Sequence, residues 1–266
     1  MHSPLPSSSL IALRRTVRLV FAAIAAGQIA FLVFLLAYYL PRTVSGNFAR
    51  WNDKPLIDGH IPGDDLGNAM FAVHVTFAAI ITLTGLMQPV AAIRARWPQV
   101  HRWSGRIFLL SAVLLALGGL WQTWVRGSYG SAVGAGGTTL NAFLILGAGA
   151  MALSAARARN FAAHRRWALR LFIVASAVWF IRVFYMAWAL ATGGAGIGDN
   201  LDGPFDLAVG YLATLLPLAI LEIYLRAEAG GSTAQRWAAT AVLALSVPVI
   251  IAGSIGAWMM MWSPYF

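Results

Sequence analysis

Residues 16–40 read TVRLVFAAIAAGQIAFLVFLLAYYL, and this stretch decides the class of fold. Its last 22 positions carry no charged side chain. A transmembrane helix needs about 20 apolar residues to cross the hydrocarbon core of a bilayer. Six more apolar stretches follow, and charged residues make up only 11% of the chain, against roughly a quarter in soluble domains. The sequence therefore predicts an all-α, polytopic transmembrane helix bundle.

The apolar pattern predicts seven spans, which leave no room for a separate soluble domain in 266 residues. We therefore predict a single integral membrane domain over residues 1–266. A secretory signal is the alternative for the first stretch. Its apolar run is longer than the roughly 7–15 residues of a signal core, and no A-x-A-like cleavage site follows. The predicted spans are about 16–40, 68–93, 107–125, 138–156, 167–192, 206–226 and 237–262.

Basic residues crowd the loops on one side of the predicted bundle. Cytoplasmic loops carry the excess of Lys and Arg in membrane proteins, so we expect the N-terminus inside, the C-terminus outside and the 42–67 loop outside. The chain would then be a multi-pass protein of the inner (cytoplasmic) membrane. The crowded side carries Arg14, Arg15, Arg18, Arg94, Arg96, Arg102, Arg106, Arg157, Arg159, Arg165, Arg166, Arg170, Arg226 and Arg236, and the other side Arg42, Arg50, Lys54 and Arg126.

The net charge of +10 follows from that topology. Anionic lipid head groups at the inner face are the expected partners of these arginines, and nucleic acid is not. The chain has no cysteine, which excludes disulfides, iron–sulfur clusters and thiolate metal sites. It also lacks the GxGxxG, GxxxxGK[ST] and HExxH motifs. These absences disfavour an enzyme of the soluble type and leave enzymatic activity undecided.

Four polar residues are predicted within the outer halves of the spans: His74, Arg182, Gln122 and Asn141. At 1.5 Å per residue, His74 lies about 10 Å and Arg182 about 15 Å from the outer face. Ionisable groups at such depth face the bundle interior or a wet cavity and are often functional. The pattern therefore predicts an outward-opening ligand pocket. The alternative is that these groups only hydrogen-bond the helices together.

Two similar basic segments occupy the inner ends of spans, with His101 in HRWSGR and His164 in HRRWALR. Two histidines on different helices at matching depth can ligate a haem. Arg106 and Arg170 would then pair with the haem propionates. The sequence thus offers His101 and His164 as metal ligands of a haem b. A di-histidine site for another transition metal and a plain positive-inside belt are the alternatives.

Several of these segments resemble a known family. They are the stretch from His74 to Pro89, which ends in TGLMQP, then HRWSGR and HRRWALRLF. Together they resemble the bacterial multi-pass membrane proteins catalogued as domain of unknown function 2306, over roughly residues 69–226. The resemblance implies a helical membrane fold and no established activity. A weaker likeness is to two-haem cytochrome b proteins, but only His74 lies in the outer layer here, so one haem at most is expected.

Three functions remain open on the sequence alone. The first is a haem-b membrane electron carrier with His101 and His164 as ligands. The second is a transporter or receptor whose outer pocket around His74 and Arg182 binds a small anion, with Pro89, Pro217 and Pro248 permitting local unwinding. The third is a non-catalytic subunit of a larger complex with other membrane subunits.

Overall fold

The computed structural model describes residues 7–54, 58–127, 132–199 and 201–266. In these residues the chain is helical and contains no β-strand, which confirms the all-α fold class. The α-helices are α1 Ser8–Phe34, α2 Leu40–Val44, α3 Asp65–Met87, α4 Ala91–Arg96, α5 Pro98–Trp124, α6 Ala132–Arg157, α7 Phe161–Ala175, α8 Ala177–Thr192, α9 Pro204–Gly230 and α10 Thr233–Ala257.

Local sequence signals explain where several helices begin and end. Asp64 and Asn160 accept hydrogen bonds from the first-turn amides of α3 and α7, as side chains at helix N-caps do. Ser232 and Gln235 form a reciprocal capping box at the start of α10. Gly193 ends α8 with a φ of 67°, a left-handed conformation that glycine adopts without strain.

Six helices of the described residues are long and apolar enough to cross a membrane, and α7 with α8 makes a seventh span if the pair is counted as one. The two helices of that pair meet at an angle of 54°. The break falls at Ser176, where no proline occurs. By contrast, α9 runs through Pro217 and α10 through Pro248 without interruption, so the unwinding expected at these two prolines is not seen.

The spans pack as two groups that α9 joins. In the first group α3, α5, α6 and α7 contact one another in chain order, and in the second α10 lies between α1 and α8. Small residues allow the close approaches, as is usual between membrane helices. A Cβ atom added at Gly27 of α1 would lie 2.5 Å from the hydroxyl of Ser254 on α10.

Two π-helical turns, Leu35–Tyr39 and Trp258–Trp262, interrupt the first and last spans near the same end of the bundle. Their aromatic rings meet in a buried cluster, where the rings of Phe34 and Trp262 stack with centroids 6.2 Å apart. Single π-helical turns occur frequently at functional sites. We call this end, which also carries the 45–64 loop, the outer end, and the end with the N-terminal residues the inner end.

The described parts of the covering loop are residues 45–54 and 58–64, and both are tied to the spans at the outer end. The Tyr38 hydroxyl donates to the carbonyl of Trp51 at 3.0 Å, and Trp51 is buried. Arg126, at the end of α5, forms an ion pair of 2.9 Å with Asp64 at the start of α3. A hydrogen bond thus holds the first part of the loop and an ion pair holds the second.

Candidate functional site

The inner histidines come from the first turns of two helices that both pack against α6. His101 lies in the first turn of α5 and His164 in the first turn of α7, and the two imidazoles are within electrostatic range of each other. The Nδ1 atom of His164 lies 2.9 Å from the carbonyl oxygen of Ala152. A carbonyl only accepts, so Nδ1 donates this bond, and in the neutral ring the lone pair is then on Nε2. The Nδ1 atom of His101 is buried without a hydrogen-bond partner among the described residues.

Arg106 and Arg170, the two arginines predicted to pair with haem propionates, each contact another side chain. Arg170 forms a bidentate ion pair with Glu222 of α9, at 2.6 and 3.0 Å. Arg106 lies over the ring of Trp103, 4.7 Å from its centroid. Arg94 and Arg102 are within electrostatic range of His101.

An outer cluster forms where α1, α3 and α8 approach one another. Arg182 of α8 lies over the ring of Phe31 on α1 at 5.1 Å and donates to the Val178 carbonyl at 2.7 Å. Its charge is within electrostatic range of His74 on α3. His74 faces α5, where a Cβ at Gly118 would lie 4.0 Å from its Nδ1. That nitrogen is buried without a hydrogen-bond partner in the described part of the chain.

Two residues that the sequence did not single out belong to the same outer cluster. Tyr39, in the first π-helical turn, is 7% exposed and within electrostatic range of Arg182. Lys54, on the covering loop, is also near Arg182. Lys54 lies in the longest polar loop and Tyr39 in an apolar run. Neither carries a sequence signal, because only the folded loop and the π-helical turn bring them to the spans.

The environment of Lys54 disfavours its charged form. Burial chiefly, and then the Arg182 guanidinium, lower the pKa of Lys54 from 10.5 to about 8, while Asp58 acts in the opposite sense. Lys54 therefore titrates close to physiological pH. A ligand that changes the local charge would shift this titration.

The other two predicted pocket residues lie on α5 and α6. Asn141 of α6 donates to the Val174 carbonyl in the last turn of α7 at 2.8 Å and to the Thr214 hydroxyl of α9 at 3.1 Å. It ties three helices together beside the break at Ser176. Gln122 is half-buried in the last turn of α5. The structure thus groups His74 with Arg182, and gives Asn141 contacts with other helices.

Few of the described side chains at either end of the bundle could bind a metal ion. Within the described ranges, no cluster of three or more His, Asp or Glu side chains is arranged to hold a metal ion. A two-ligand site such as a bis-histidine haem does not need such a cluster. His101 and His164 are the pair that the sequence offers for such a site.

The fold and its long apolar helices define an integral membrane protein. The family described as "predicted membrane protein (DUF2306)" matches residues 71–225, which is more than half of the chain. The chain belongs to this family, as the resemblance in its histidine segments suggested. No curated protein and no solved structure shows significant similarity to it.

Proposed function

We propose that this protein is a haem-b-binding membrane electron carrier whose iron ligands are His101 and His164. The observation that carries the proposal is the pair of half-buried imidazoles from α5 and α7 at the inner end. Histidines that ligate metals usually donate their second ring N–H to a carbonyl or carboxylate, which fixes the tautomer. His164 makes such a bond with Ala152. Its Nε2 is thereby suited to an iron ligand.

The partner residues of the proposed site also fit a haem. The Nδ1 atom of His101 is buried and has no hydrogen-bond partner among the described residues, so it could still bond to a ligand. Arg94 and Arg102 near His101 would pair with propionates through charge-assisted hydrogen bonds. Arg170 is less suited to that role than the sequence suggested, because Glu222 already accepts from it. A haem bound here would supply one-electron transfer near the inner face.

An absorption spectrum of the purified protein tests the proposal. After expression in haem-replete cells, the protein in mild detergent should show a Soret band, and dithionite should sharpen its α band. The His101→Ala, His164→Ala double variant should lose both. His60→Ala should keep them, because His60 lies on the outer loop.

A colourless wild-type protein, or haem retained by the double variant, contradicts the assignment. In the first case the favoured function would be that of a non-catalytic subunit of a larger membrane complex. Pull-down with mild detergent would then be expected to recover stoichiometric membrane partners. In the second case haem binds elsewhere, and these histidines belong to the positive-inside belt.

A further inference from the structure

A groove of about 180 Å³ opens on the side of the bundle between the first π-helical turn and α3. Val75, Ala79 and Ile80 line it along α3. Leu36 and Leu40 form its outer lip and are 46% and 53% exposed. In a membrane-spanning helix such exposed leucines face lipid tails. The groove is therefore an apolar channel that is open to the hydrocarbon core.

One end of this groove carries hydrogen-bond donors. Tyr39 lines the groove and is 7% exposed, and its hydroxyl can donate to a ligand. Trp51 also lines the groove, and its Nε1 is buried without a hydrogen-bond partner among the described residues. A ligand with acceptor atoms would satisfy that donor.

The charge at the same end is positive. Arg182 is within electrostatic range of Tyr39, of His74 and of Lys54. Asp58 is the carboxylate near Lys54 and offsets part of the two cationic charges. The excess favours an anion, since opposite charges in a site of low polarity attract strongly.

The roof of the groove limits the size of the head group. Trp51 lines the groove from the covering loop and is 2% exposed. Its carbonyl accepts from the Tyr38 hydroxyl, which holds Trp51 against the first span. A compact anion fits beneath this cover better than a phosphate that bears a glycerol backbone and a second chain.

We propose that this groove binds a long-chain carboxylate. The hydrocarbon chain would lie along α3, and the carboxylate would lie beside Tyr39, Lys54 and Arg182. The ligand enters sideways from the lipid phase, because the groove opens between Leu36 and Leu40. The site is separate from the inner histidines, so it does not depend on the haem proposal.

Binding of radiolabelled palmitate to the full chain in phosphatidylcholine nanodiscs tests this site. Wild-type protein should bind palmitate with one site per chain, and hexadecanol of the same length at least tenfold more weakly. The Lys54→Gln, Arg182→Gln double variant should bind palmitate at least tenfold more weakly. Tyr39→Phe, which keeps the aromatic packing, should weaken binding severalfold.

Groove-filling variants supply the matched control. Ala79→Trp should abolish palmitate binding, whereas Ala150→Trp, at an exposed position of α6, should not change it. Equal binding of palmitate and hexadecanol overturns the proposal, as does wild-type affinity in a folded Ala79→Trp protein. If Ala79→Trp does not fold, the proposal is overturned when Tyr39→Phe and the Lys54→Gln, Arg182→Gln double variant both bind palmitate as tightly as wild type does. Tighter binding of phosphatidic acid than of palmitate overturns the choice of a carboxylate.

Discussion

Arg170 shows how a guanidinium is stabilised at the inner ends of two spans. It forms a bidentate pair with Glu222, and the side chains are 17% and 28% exposed. It also lies over the Trp167 ring, 4.5 Å from its centroid. Bidentate, charge-assisted pairs of this kind are stronger than ordinary hydrogen bonds. Arg170 thus fixes α7 against α9 in the inner half of the bundle.

Arg170→Gln should lower the free energy of unfolding by about 1–3 kcal/mol, because Glu222 is left partly buried without its partner. Arg50→Gln is the matched control. Arg50 makes a single contact with Asp53 and is 57% exposed, so its loss should cost less than about 1 kcal/mol. Denaturation by SDS in mixed micelles measures both. Equal losses would mean that the Glu222 pair does not stabilise the bundle.

Lys54 gives the proposed carboxylate site a dependence on pH. Its pKa is lowered to about 8, and an anion bound beside it favours the ammonium form. Palmitate affinity relative to that of Lys54→Arg should therefore fall by up to about tenfold between pH 7 and pH 9, since the arginine stays charged. The comparison removes the titration of palmitate itself. A constant ratio would exclude Lys54 from the site.

The same shift predicts how unliganded protein responds to pH. The folded state holds the Lys54 proton less tightly than the unfolded chain, whose lysine keeps the ordinary value of 10.5. Between about 8 and 10.5 the unfolded state therefore binds more protons, and the contribution of Lys54 to stability rises with pH.

At the scale of helices, the break at Ser176 decides the direction of α8. The Gln28 side chain donates to the Ser176 hydroxyl at 2.8 Å, and that hydroxyl donates to the Phe172 carbonyl at 2.7 Å. Asn141 adds its bond to the Val174 carbonyl. These bonds satisfy polar groups where the helix bends. The bend places Arg182 of α8 opposite α1 instead of continuing the line of α7.

Asn141→Leu should destabilise the protein by about 1–2 kcal/mol, because two helices lose a shared donor. Thr139→Val, on the same helix, removes an exposed contact with Trp124 and should have a smaller effect. Thermal unfolding in mild detergent compares them. Unchanged stability of Asn141→Leu would show that the break does not need this side chain.

Close contact between α8 and α10 depends on small residues. A Cβ atom at Gly253 would overlap the carbonyl oxygen of Val183, whereas one at Gly147 of α6 would meet nothing within 4 Å. Gly253→Ala should therefore cost about 1–3 kcal/mol through forced separation of the helices. Gly147→Ala should change stability by less than about 0.5 kcal/mol. Similar behaviour of the two variants in SDS titration would contradict this account of the interface.

At the scale of the whole molecule, the bundle has two separate candidate sites at opposite ends. The inner histidines lie between the starts of α5 and α7, and the outer cluster lies under the loop that carries Lys54. Phe108 and Phe172 pack between these levels around Gly85. The two sites share no residue, so each can be tested by variants that leave the other unchanged.

The orientation of the bundle is a prediction from the distribution of arginine and lysine. A periplasmically active reporter, such as alkaline phosphatase, fused after Phe266 should be active. The same reporter after Ala158, in the basic loop between α6 and α7, should be inactive, and a cytoplasmic fluorescent reporter there should glow. Opposite results at the two positions would invert the topology, and with it the names of the two ends.

The sequence by itself determined the class of protein and its all-α fold. These follow from the transfer free energy of contiguous side chains, which is a local and nearly additive property. Only the tertiary structure brought Arg182 close to His74, Tyr39 and Lys54. It also paired Glu222 with Arg170. It placed the break in a span at Ser176, where there is no proline. Such pairings depend on which helix faces meet, and that is set by shape at small residues such as Gly27 and Gly253 and by a fold of the outer loop. No periodicity along the chain encodes those contacts, because they join residues far apart in sequence.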